Sequence, residues 1–92
     1  MINNLDLYRF YVGWYRYSGN NNLPWIACAI YSEGGADAEN MAESFNNLDS
    51  DDTEASNALE FIENNAEFYM WAKTPSEAIR LVEQKVLQRL ND

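Results

Sequence analysis

Few side chains in this sequence could do covalent or metal chemistry. There is no histidine and one cysteine, Cys28. Without histidine, a serine or cysteine nucleophile lacks its usual general base, and a transition metal lacks its commonest ligand. Cys28 stands between Ala27 and Ala29 in an apolar run. That is the setting of a small buried hydrophobe rather than of an activated thiolate. Paired carboxylates could serve glycoside hydrolysis, but a chain of 92 residues with three strands leaves little room for a cleft. The expectation is a protein that is not an enzyme and uses no cofactor.

Three patterns invite a ligand. Counting Asp49 as position one of a calcium loop puts Asp51 at position three and Glu60 at position twelve. Position six is then Glu54, where the sharp turn needs glycine. A solvated acidic loop ahead of a helix is the better reading, so no metal is expected. Gly34 and Gly35 precede a helical pattern and could cradle phosphate, but Glu33, Asp37 and Glu39 around them would repel it. Arg9 and Arg16 interleave with aromatics, as in proteins on which bases stack. A chain with a net charge of −9 and 6 basic residues nevertheless starts from repulsion toward phosphates.

What remains is an array of carboxylates. Between Tyr17 and Ala72 there is no lysine or arginine. The same stretch holds Glu33, Asp37, Glu39, Glu43, Asp49, Asp51, Asp52, Glu54, Glu60, Glu63 and Glu67. Outside it, 4 acids face 6 bases, so an acidic middle sits in a mildly basic frame. Such a run is often no more than a solvated face. Acids three or four residues apart on a helix lie ~5–6 Å apart along its axis, at ~1.5 Å per residue. Duplex DNA carries a charge every ~3.4 Å along each strand. These densities are of the same order, so two such helices could occupy a groove built for nucleic acid.

The elements that must hold this array are legible in the periodicities. Leu7–Tyr17 reads as a strand, with Tyr8, Phe10, Val12 and Trp14 on one face and Arg9, Tyr11, Tyr15 and Tyr17 on the other. Ser18–Pro24 is turn chemistry, and Trp25–Tyr31 reads as the second strand of an antiparallel hairpin. Ala36–Leu48 reads as a helix whose stripe is Ala38, Met41, Ala42, Phe45 and Leu48. Asp49–Thr53 reads as a loop. Glu54–Asn64 reads as a helix burying Ala55, Ala58, Leu59, Ile62 and, just past its end, Ala66, with Glu60, Glu63 and Glu67 aligned on another face.

Glu67–Lys73 reads as the third strand. Thr74-Pro75-Ser76-Glu77 is a capping box that starts a helix running to about Leu90 and burying Ala78, Ile79, Val82 and Val86. The prediction is one α+β domain over residues 1–92, a three-stranded antiparallel sheet packed with three helices in the order β-β-α-α-β-α. One sheet face should be core, and the other covered by helix or by a partner. Tyr8, Tyr11, Trp14, Tyr15, Tyr17, Trp25 and Trp71 are more aromatic surface than one small sheet face buries. That predicts a homodimer or an obligate partner. No run could span a bilayer, Met1–Phe10 lacks the pattern of a signal peptide, and one cysteine forms no internal disulfide, so a cytoplasmic protein is expected.

In size, acidity, element order and the acidic block from Glu33 to Glu67, the chain resembles small phage- or plasmid-encoded inhibitors of the anti-CRISPR and anti-restriction kind, several of which mimic DNA. The resemblance implies binding to the nucleic-acid channel of a Cas or restriction protein. Locally, Tyr69-Met70-Trp71-Ala72-Lys73-Thr74-Pro75-Ser76-Glu77-Ala78-Ile79 is similar to the strand-then-helix segment of HicB-type antitoxins, although two helices here interrupt the strand run that precedes it in that family. The expected function is a non-catalytic inhibitor whose acidic surface occludes a basic, nucleic-acid-binding protein. The alternative is an immunity protein or antitoxin neutralising a basic toxin nuclease.

Overall fold

A computed structural model describes residues 4–17, 23–33 and 35–90. Most of the expected turn at Ser18–Pro24, and Gly34 of the glycine pair, lie outside the described residues. A 3-10 turn at Asn4–Leu7 leads into β1 (Tyr8–Trp14), then β2 (Trp25–Tyr31), α1 (Ala36–Asn47), α2 (Asp52–Asn65), β3 (Phe68–Ala72) and α3 (Pro75–Leu90). The sheet order is β1-β2-β3 with both pairings antiparallel. The predicted order β-β-α-α-β-α and the α+β class are therefore the observed ones.

β2 is central, and its sequence Trp-Ile-Ala-Cys-Ala-Ile-Tyr is apolar throughout because both its faces are covered. Ile26, Cys28 and Ile30 face α1 and α2, where they pack with Met41, Phe45, Leu48 and Ile62. Ala27 and Ala29 face the other way, with Ala72 of β3, against Ala78, Val82 and Val86 of α3. Alanines on the sheet let α3 lie close to it, while the larger side chains on the opposite face fill the deeper space under two helices.

Helices thus cover both faces of the sheet, and this alters the expectation about its aromatics. Tyr11, Tyr15 and Trp71 pack under α1 and α2, and Tyr8 and Trp25 pack against α3. Trp14 and Tyr17 stay exposed. The surplus of aromatic surface on which dimerisation was predicted is therefore largely absorbed inside one molecule.

Element ends differ from the sequence reading for identifiable reasons. β1 ends at Trp14, and Leu7 belongs to the preceding turn. α2 begins at Asp52 rather than Glu54, because the Asp51 carboxylate accepts the Glu54 N–H at 3.0 Å and caps the helix. α2 stops at Asn65, and Ala66 is extended. Glu67 therefore leaves the helical stripe of Glu60 and Glu63, and its N–H donates to the Ala29 carbonyl at 3.0 Å. Ala42, Leu59, Ala66 and Ile79 are half-buried rather than core. The capping box at α3 shows its first half, with the Thr74 hydroxyl accepting the Glu77 N–H at 3.1 Å.

Gly13 fixes how closely α1 approaches β1. A Cβ there would stand 3.0 Å from side-chain carbons of both Leu48 and Phe45. Gly13→Val should cost about 1–3 kcal/mol through overpacking, read as a lower urea midpoint with unchanged slope.

Candidate functional site

The two helices after β2 each present one apolar stripe to the sheet, and this pushes their acids outward. α1 buries Ala38, Met41 and Phe45 and leaves Asp37, Glu39 and Glu43 exposed. α2 buries Ala55, Ala58 and Ile62 and leaves Asp52, Glu54, Glu60 and Glu63 exposed. These two helices hold seven acids and no base. Glu33, Asp49, Asp51 and Glu67 are exposed as well, so all eleven carboxylates singled out in the sequence reach solvent. A polar cleft of about 410 Å³ runs between the helices, lined by Asn40, Glu43 and Asn47 from α1 and by Glu54, Asn57 and Phe61 from α2. Its asparagine lining was not singled out in the sequence, although the recurrence of amides through both helices is the trace it leaves there.

Not every acid belongs to one surface. Arg16, at the end of the hairpin's first arm, reaches across to Asp49, with Nη2 2.9 Å from its Oδ1. Its Nε donates to the Asp49 backbone carbonyl at 3.2 Å and to Oδ1 at 3.0 Å. A cation from outside the base-free stretch therefore tempers the array at Asp49. This pair is about half exposed on both sides, so it orders the loop more than it stabilises the fold. Asp51 is engaged in capping α2. Asp37, Glu39, Asp52 and Glu54 lie in first helical turns, where negative charge complements the helix dipole. Glu43, Glu60 and Glu63 have no such local role.

Glu67 lies elsewhere, beside Tyr8, Phe68 and Arg89. Burial and then the neighbouring Glu67 carboxylate raise the Tyr8 phenol above its ordinary value. Glu63 and Glu67 share a cleft of about 450 Å³ with Lys85 of α3. Lys73 and the α3 residues Arg80, Lys85 and Arg89 supply the cations on that side. The sheet thus separates an acidic layer, α1 and α2, from a mixed-charge layer, α3. The array proper is Asp37, Glu39, Glu43, Asp52, Glu54 and Glu60, with Glu63 at its border.

The calcium-loop numbering is incompatible with this geometry. Asp49 is paired with Arg16, Asp51 caps α2, and Glu60 is already two turns into that helix. Among the described residues, no group of acids and cysteine is placed to hold a metal ion. No helix among them is long and apolar enough to cross a membrane.

Cys28 is fully buried, and burial pushes its thiol from an ordinary 9.0 to about 12. The folded state therefore favours the protonated thiol. Its contribution is complete below pH 9 and is lost as pH rises toward about 12. Urea melts at a series of pH values should show stability falling over that window by up to ~1.4 kcal/mol per pH unit. In Cys28→Ala the slope should be shallower. A thiol reagent added to the native protein at neutral pH should react only on unfolding.

No protein-family model, no curated protein and no solved structure matches the chain.

Proposed function

We propose that the protein is a non-catalytic inhibitor that binds a basic, nucleic-acid-binding protein through the outer face of α1 and α2. The observation that carries this reading is the segregation of charge. The two-helix layer bears seven exposed carboxylates and no base, in a chain that keeps its cations elsewhere. Such a surface steers a cationic partner and occupies the groove where phosphates would lie. Its target is an effector of the Cas or restriction type, and its site of action is the cytoplasm, the host's if the protein is phage-encoded.

The inhibitor acts by steric and electrostatic occlusion, so it requires no cofactor and does not itself contact nucleic acid. Immobilised protein should capture a basic protein from bacterial lysate at low salt and release it as salt rises. The captured protein should lose duplex-DNA binding when the inhibitor is present. Capture of an acidic protein, or capture insensitive to salt, would count against the proposal.

A further inference from the structure

β1 lies at the edge of the sheet, and its outer side is open among the described residues. Ser32 N–H donates to the Leu7 carbonyl, and Tyr15 N–H donates to the Pro24 carbonyl. With the continuous register between them, odd-numbered residues of β1 bond to β2. The N–H and C=O groups of Tyr8, Phe10, Val12 and Trp14 therefore point away from the sheet. The other edge, β3, is shorter and is bounded by Glu67, Lys73 and Pro75, which blunt it. β1 has seven residues, no proline, no bulge and one charge, Arg9. α3 covers Tyr8 and Phe10 but leaves Val12 and Trp14 exposed at 37% and 40%.

We infer that this edge pairs with the β1 edge of a second copy, extending the sheet across a two-fold axis at Tyr11. Full antiparallel overlap sets Tyr8 opposite Trp14 of the other copy and Phe10 opposite Val12. Each of these pairs exchanges two hydrogen bonds through the outward groups. The register places the two exposed apolar side chains of each copy against the half-buried aromatics of the other. It sets Arg9 opposite Gly13, so like charges do not meet. It also runs Asp6 of one copy toward Arg16 of the other, whose guanidinium is already paired with its own Asp49.

Charge selects the occupant. Residues 7–17 contain Arg9 and Arg16 and no acid, in a chain of net charge −9. Along this strip two copies approach with less repulsion than through α1 and α2, and the acidic layer of each copy stays unobstructed. The pairing does not depend on the partner proposed above.

Sedimentation velocity of the full chain, from micromolar to millimolar concentration, tests the inference. A concentration-dependent dimer is expected, strengthened by high salt because salt screens the repulsion between acidic chains. Val12→Pro removes one outward donor and leaves the inner ladder intact. Trp14→Lys places a charge in the apolar stripe. Each should raise the dimer dissociation constant at least tenfold while circular dichroism stays native. If Val12→Pro fails to fold, Trp14→Lys decides. A monomer at every concentration and salt would overturn the inference, and so would a dimer indifferent to the folded variants.

Discussion

Reversing Glu43 and Glu60 to lysine together should weaken partner capture about 100-fold or more. Both residues are exposed in helix interiors, one on α1 and one on α2. Neither caps a helix or sits in a first turn, so the fold gives no local reason for either charge. Each reversal replaces an attraction by a like-charge contact, which costs several kcal/mol across an interface, and each ~1.4 kcal/mol is a factor of ten in affinity. Stability should change by less than about 0.5 kcal/mol, because both sites are solvated and lie off the apolar stripes.

Glu63→Lys should weaken binding less than Glu60→Lys, since Glu63 shares its cleft with Lys85. Glu77→Gln is the control. Glu77 belongs to the first turn of α3, on the other side of the sheet from the array, and glutamine can still serve the capping box. Surface plasmon resonance against the captured protein, at low and at physiological salt, reads all four. If the double reversal binds as tightly as the wild type at both salts, the acids are a solvated face and nothing more.

Ile62→Ala should remove about 2–5 kcal/mol of stability. Ile62 is fully buried in α2, in the cluster that joins both acidic helices to Ile26, Cys28 and Ile30 of the central strand. The cost combines lost transfer free energy with the cavity left under two helices. A domain of 92 residues is held by roughly 5–14 kcal/mol in all. The substitution should therefore lower Tm by roughly 8–40 °C, at ~4–8 °C per kcal/mol for a domain of this size. Glu60→Ala, two residues away on the exposed face, should leave Tm nearly unchanged. Equal effects at the two positions would mean that α2 does not pack through the stripe Ala55, Ala58 and Ile62.

The elements were legible because each buries one periodic stripe. The four-residue spacing of Ala78, Val82 and Val86 marks α3, and Thr74 and Pro75 mark its start. The apolar run Trp25–Tyr31 reads as a strand, and its lack of alternation follows from helices on both sides. What stayed hidden depends on contacts remote in sequence or on choices between equivalent residues. Asp49, Ser50, Asp51 and Asp52 are all competent caps, so only the fold shows that Asp51 is the one used. Helical periodicity carried Glu67 onto the stripe of Glu60 and Glu63, but the chain turns extended at Ala66 and delivers Glu67 toward Tyr8 and Arg89. Arg16 meets Asp49 across 33 residues of sequence, and no local pattern announces that pairing.

The acidic block is a continuous stretch of sequence, but it is a surface only because α1 and α2 pack side by side on one face of the sheet. Their inward stripes consume most of the apolar residues, and the outward remainder is mainly carboxylate, amide and hydroxyl. The measurement that tests the account most directly is competition for the captured protein between this chain and duplex DNA. If the proposed function holds, the wild-type protein should displace the DNA, less effectively as salt rises, and the Glu43→Lys/Glu60→Lys variant should not displace it. Equal displacement by the two, or simultaneous binding of this chain and DNA, would contradict the account.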